Sequence, residues 1–228
     1  GESYRQALAA LWLSIYLGGF GTRARRGGGN LIVEQVIEGD TEGIDFDCNV
    51  KNLDELEEWL KYNIEKIKEV TKQSIAGTNK YTNLNGGRIL LFEHKKTWIE
   101  ALDFLGNELM KFRKRKRNKN KIFETAAFGM PVMHSKFSVR MVPYSEKVNK
   151  KERLSDRWAS SLIFKVIKSG RLYFPIVIKL SAGGVEFVGK ELRVGEKWRL
   201  DDNQIQRFDE NLVNDFLHQL PKSRELLL

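Results

Sequence analysis

Gly18-Gly-Phe-Gly-Thr-Arg-Ala-Arg-Arg-Gly-Gly-Gly29 packs six glycines and three arginines into twelve residues, and its reading decides the fold. Inside it, Gly19-Phe-Gly-Thr-Arg-Ala24 carries the letters G-x-G-x-x-A of the dinucleotide fingerprint. That fingerprint works only between a strand and a helix, because the pyrophosphate has to meet a helix amino terminus. Here the order is reversed, with a helical pattern before the loop and a strand-like one after it. The Gly-Lys-Ser/Thr ending of a phosphate-binding P-loop is also missing. A doubly wound nucleotide-binding domain is therefore excluded. What remains is a glycine-dense loop bearing Arg23, Arg25 and Arg26. Glycine lets backbone amides approach a phosphate closely, and arginine adds a forked, permanently charged donor. A solvated surface loop whose arginines meet only water is an equally good reading of the composition.

Before the loop, Tyr4, Leu8, Leu11 and Ile15 recur at helical spacing, with Trp12 and Tyr16 widening the stripe. Gly18-Gly19 is expected to end that helix in a left-handed cap. After the loop, Leu31–Ile37 reads as a strand. A second helix is expected from Asn52, with Glu55 as capping-box partner and Leu53, Leu56, Leu60, Ile64 and Ile67 buried. The polar stretch 77–87 leads into a short strand, Ile89–Phe92. Thr97 and Glu100 then open a third helix, with the stripe Trp98, Leu102, Leu105, Leu109 and Phe112. Residues 161–168 and 171–180 form a hairpin turning at Ser169-Gly170, with Leu172, Phe174, Ile176, Ile178 and Leu180 on one face. Pro175 cannot donate to a ladder, which points to an edge strand or a bulge. A last helix over 203–220 would bury Ile205, Phe208, Leu212, Phe216 and Leu220. The fold class is α+β, without strict strand–helix alternation.

The net charge of +9 and pI near 9.5 suit a polyanionic partner, either nucleic acid or an acidic membrane. Almost all of it lies in one run, where Lys111, Arg113, Lys114, Arg115, Lys116, Arg117, Lys119 and Lys121 occur with no acid. A solvated helix end would explain one or two of these cations through the helix dipole. Eight repel one another, and a polyanion relieves that repulsion better than water does; an acidic protein or membrane surface is the lesser alternative. Cys48 is the only cysteine, so no internal disulfide forms and a reducing, cytoplasmic setting is expected. No apolar run reaches the roughly 18 residues of a membrane span, and the start of the sequence carries no charged-then-apolar signal pattern.

Helix, glycine-rich loop, then strand resembles the glycine-rich loop of the RAMP superfamily. Within it, the pattern is most similar to the subunit-one family of the Cmr (type III-B CRISPR) effector complex. Ala127-Phe-Gly-Met-Pro-Val132 and Arg157-Trp-Ala-Ser-Ser-Leu-Ile-Phe-Lys165 follow in the order in which that family carries similar stretches. The resemblance implies ferredoxin-like (RRM-like) RAMP domains. Residues 1–40 would end a first, incomplete one, and 41–228 would make a second with helical insertions. In this family, strands of the first domain precede the loop, so the Leu31 strand is expected to lack its natural neighbours. The implied role is to bind guide or target single-stranded RNA near the guide's 3′ end, beside other Cmr-type subunits, without cutting it. Carried onto this chain, the RNA-binding residues are Gly19, Gly21, Arg23, Arg25, Arg26 and Gly27 in the loop. Arg113, Lys114, Arg115, Lys116 and Arg117 join them from the basic run, and Arg157 and Lys165 from the third segment.

Catalysis has little to stand on. His94, His134 and His218 are the acid/base candidates, but none lies in a motif. His134, beside Ser135 and Lys136, is the best placed for a metal-independent endoribonuclease, the principal alternative reading. A basic protein for acidic partners is the other. Asp45 and Asp47 lack a third ligand, and Cys48 with scattered histidines lacks zinc spacing, so neither metal nor cofactor is expected.

Overall fold

The computed structural model describes residues 1–37, 39–71, 83–116, 128–129, 132–134, 137–143, 159–181, 187–194, 197–200, 205–206, 210–221 and 223–228. Helix α2 (Leu53–Thr71) starts as its sequence dictates. Asn52 Oδ1 accepts the Glu55 N–H at 2.9 Å, while the Glu55 carboxylate accepts from Asn52 Nδ2 and the Lys51 N–H. Helix α3 (Trp98–Arg115) is capped by Thr97, whose Oγ1 accepts the Glu100 N–H at 3.1 Å. The Glu100 carboxylate reaches back one residue further than a capping box requires, to the Lys96 N–H. The buried face of α3 is Ala101, Leu105, Leu109 and Phe112, so Trp98 in the first turn stays 56% exposed.

Helix α1 (Glu2–Tyr16) ends differently from its expectation. Leu17 is right-handed, and neither Gly18 nor Gly19 takes a positive φ. The Gly18 N–H instead donates back to the Leu13 carbonyl at 2.7 Å, and a Cβ on Gly18 would lie 3.0 Å from the Ser14 carbonyl oxygen. Close approach, not handedness, is what demands glycine there.

Strands β1 (Asn83–Leu91), β4 (Leu162–Ser169), β5 (Leu172–Ser181) and β9 (Arg224–Leu227) form one sheet in the order β4-β5-β1-β9, antiparallel throughout. With α3 after β1 and α4 (Glu210–His218) before β9, this unit runs β–α–β–β–α–β. A second sheet has the order β2-β3-β6-β7, from β2 (Val132–His134), β3 (Phe137–Pro143), β6 (Phe187–Val194) and β7 (Lys197–Leu200), with β8 (Ile205–Gln206) pairing β6. Its strands come from the two connections that flank the β4–β5 hairpin.

The alternating residues of the first sheet feed two cores. Ile89, Leu91, Ile163, Ile167, Phe174, Ile176 and Ile178 face α1 and α2, where Trp12, Tyr16, Leu56, Trp59 and Leu60 pack against them. Leu90, Leu162, Phe164 and Val177 face α3 and α4, where Leu105, Phe112, Leu212 and Phe216 meet Phe128. The sheet is therefore the middle of three layers.

Three expectations are corrected. Pro175 sits on an inner strand, not at an edge. Its carbonyl accepts the Phe92 N–H just past the end of β1, so only the return bond that proline cannot donate is lost there. Leu31–Ile37 forms no strand, and Leu31, Ile32, Val36 and Ile37 are exposed. Strand propensity needs a ladder partner to act, and the outer edge of β4 is met instead by the Arg25 carbonyl, which accepts the Phe164 N–H. The last helix begins at Glu210, because Ile205 is drawn into β8 opposite Val188; Phe208 lies outside the described residues.

Phe216 is 1% exposed and meets Phe112, Phe128 and Phe164 edge-on at 5.4, 5.7 and 6.1 Å. Phe216→Ala is expected to lower unfolding stability by about 3–5 kcal/mol, measured as a reduced urea midpoint.

Candidate nucleic-acid interface

A four-stranded antiparallel sheet can read RNA by stacking bases on an open face. Here helices cover both faces, so a nucleic-acid site on this sheet has to lie at its margin. The glycine/arginine loop lies there, along β4. Its neck closes where the Phe20 N–H donates to the Gly29 carbonyl at 3.1 Å, making a compact Ω-loop. Gly29 has φ +66, and a Cβ on it would run into the Phe20 carbonyl oxygen. Inside the loop the Arg23 carbonyl accepts from both the Arg26 and Gly28 N–H groups. Gly27, at φ +83, presses on the Leu102 side chain of α3, so the loop is seated against that helix.

The arginines divide the work. Arg25 donates to the Ser160 carbonyl and Arg26 to the Phe128 carbonyl, which ties the loop to two segments more than 100 residues away. Arg23 is exposed, and its side chain has no partner among the described residues. Gly21, Arg23, Arg25 and Arg26 thus share an open pocket of about 390 Å³ with Phe128, Gly129, Ala159 and Ser160. The three sequence segments singled out above meet in this one place.

Burial lowers the pKa of Arg25, and burial together with the nearby Arg113 lowers that of Arg26. Burial also lowers Arg113. Arginine stays charged regardless, so these shifts record mainly the cost of burying three guanidinium groups near one another. The basic run joins the site at its helical end. Lys111 pairs with Glu108, Arg115 donates to Gln219, and Lys116 pairs with Asp215, so these three are held rather than loose. Arg113 and Lys114 have no partner among the described residues. Arg117 and Arg157 lie outside the described residues.

Lys165 is not at the surface as expected. It is 1% exposed beneath the loop, donating to the Gly18 carbonyl at 3.1 Å and to Asn30 Oδ1 at 3.0 Å. It ties together the two ends of the loop. Asn30 also donates to the Gly27 carbonyl, a role that sequence reading missed although asparagine after a glycine run is a common turn residue.

His134 ends β2, and its side chain lies outside the described residues; the other chemical candidates are placed away from the loop. Asp45 accepts from the Trp59 indole and the Asp47 N–H. Burial, then Asp45 and Asp47, push the Cys48 thiol up to about 12, away from reactivity. His94 lays its ring against Phe174 on the α1/α2 side, and His218 ends α4 on the opposite side of the sheet. Among the described residues no cluster of His, Cys, Asp or Glu could hold a metal ion, and no helix is long and apolar enough to cross a membrane.

Gly21 takes φ +88 over open space, so Gly21→Ala should cost only the conformational strain, about 1–2 kcal/mol. Gly29→Ala adds a backbone collision and should destabilise more, as urea unfolding of the two variants will show. The Lys165 pKa is lowered by burial to about 8. Above that pH the folded chain gives up a proton that the unfolded chain keeps until about 10.4, so this group makes stability rise with pH across that window. The rise should be absent from Lys165→Met when urea midpoints are compared at pH 7.5 and 10.

No protein-family model matches the chain, and no curated protein matches it significantly. Among solved structures, the crystal structure of Cmr1 from Pyrococcus furiosus in its apo form aligns with a TM-score of 0.56 at 21% identity. The alignment covers 98% of this chain and 59% of that one, so the chain spans less than two thirds of Cmr1. In fold, this chain is similar to Cmr1 over nearly its whole length.

Proposed function

We propose that this chain is a non-catalytic, RNA-binding subunit of a CRISPR effector complex of the Cmr type. The single observation that carries the reading is the meeting of the arginine loop with Phe128-Gly129 and Ala159-Ser160 around one cationic pocket. A pinned, glycine-rich loop with an unpaired Arg23 grips a phosphate backbone without reading its bases. Arg113 and Lys114 extend the grip along the end of α3.

The β–α–β–β–α–β path supports reading the first sheet and its helices as a ferredoxin-like RAMP domain. The likeness to Cmr1 supports assembly with other subunits, and the sequence resemblance supports contact with guide or target RNA near the guide's 3′ end, in the cytoplasm.

Single-stranded RNA should bind with little sequence preference and a strong salt dependence. With about five phosphates neutralised, log K should fall against log salt with a slope of about −3.5, and Arg23→Ala should reduce that slope by about 0.7. Fluorescence anisotropy with one labelled RNA at several salt concentrations measures both; a slope near zero would remove the reading. Labelled RNA incubated with and without Mg²⁺ should remain uncut.

A further inference from the structure

The buried ammonium of Lys165 is more than the hydrogen bonds around it require. Gly18 and Asn30 present two acceptors, and a neutral amine has two N–H groups to satisfy them. A charge there is costly unless something compensates it. The groups that surround Lys165 do not form an ion pair with it. Tyr16 comes from α1, Glu34 from the segment after the loop, Asp47 and Cys48 from the chain before α2, and Lys168 from β4 itself. Among the described residues no carboxylate lies within ion-pair distance of Lys165. The ammonium faces the base of the arginine loop, through the Gly18 carbonyl and Asn30 Oδ1.

We infer that Lys165 is a positioning residue of the RNA interface: it fixes the neck of the arginine loop from beneath and lends its charge to the bound phosphate without touching the RNA. This rests on the RNA-binding reading above. Two mechanical consequences follow. Holding Gly18 and Asn30 together keeps the Phe20–Gly29 neck closed, so the loop's arginines meet the RNA already ordered. A phosphate above the neck favours the protonated lysine, so RNA binding draws a proton onto a group that burial has left half-neutral near pH 8. Affinity therefore falls as pH rises from 7 to 9.

The test compares the full chain with Lys165→Met, using labelled oligoadenylate, whose bases lose no proton in that range. Lys165→Met should bind roughly tenfold more weakly at pH 7, equivalent to one pKa unit. Its salt slope should equal that of the unsubstituted chain, because no phosphate contact is lost. The fall in affinity between pH 7 and 9 should vanish, although the Gly1 amine still titrates in both proteins. Equal affinity in a folded Lys165→Met overturns the role, and a slope smaller by about 0.7 overturns positioning in favour of direct contact. A pH step that survives the substitution overturns the charge argument. If the unsubstituted chain shows no salt-dependent binding, the RNA reading itself fails. Should Lys165→Met not fold, Asn30→Ala removes one anchor and keeps the lysine; weaker binding with an unchanged slope and a retained pH step supports the role, and unaltered affinity overturns it.

Discussion

The four-stranded sheet is apolar on both faces, and that constraint shapes everything built around it. Phe174, Ile176 and Ile178 leave β5 on one side while Val177 leaves it on the other, so a single layer of helices would strand half of these side chains in water. Helices α1 and α2 cover one face, and α3 and α4 cover the other. With both faces spent on packing, the arginine loop takes its place along the margin of β4.

That loop gains its shape from polar interactions that composition does not display. Two of its three arginines are turned toward carbonyls of distant segments, and a lysine from β4 closes its base. The division leaves one arginine without a partner among the described residues and two that anchor the loop. The basic run differs less from the loop than its sequence suggests. It stays helical through Arg115, with part of its charge bound to Glu108, Gln219 and Asp215.

Much of this was legible in the sequence wherever a local rule acts alone. The Asn52/Glu55 and Thr97 caps, the α2 stripe and the β4–β5 hairpin depend on neighbours a few residues apart, and they formed as read. Position in the sheet was not legible. Pro175 reads as an edge residue because local reasoning cannot see that the neighbouring strand ends beside it. Leu31–Ile37 reads as a strand because propensity does not report whether a ladder is available. Lys165 reads as a surface cation, since only the alternation of β4 against the covered face turns it inward among apolar neighbours. In the site, the residue types were visible, but the distribution of tasks among the arginines required the partners that lie 102 and 135 residues away.

Those separations bear on how the molecule is made. Arg25 enters the growing chain long before Ser160, and β1 waits for β9, as the Arg88–Glu225 pair spans 137 residues. Contacts this far apart carry the full entropy of loop closure before they return anything, which slows folding. The loop's arginines therefore remain unanchored during most of synthesis. Their pocket can form only after Phe128 and Ser160, whose carbonyls anchor it, have joined the chain.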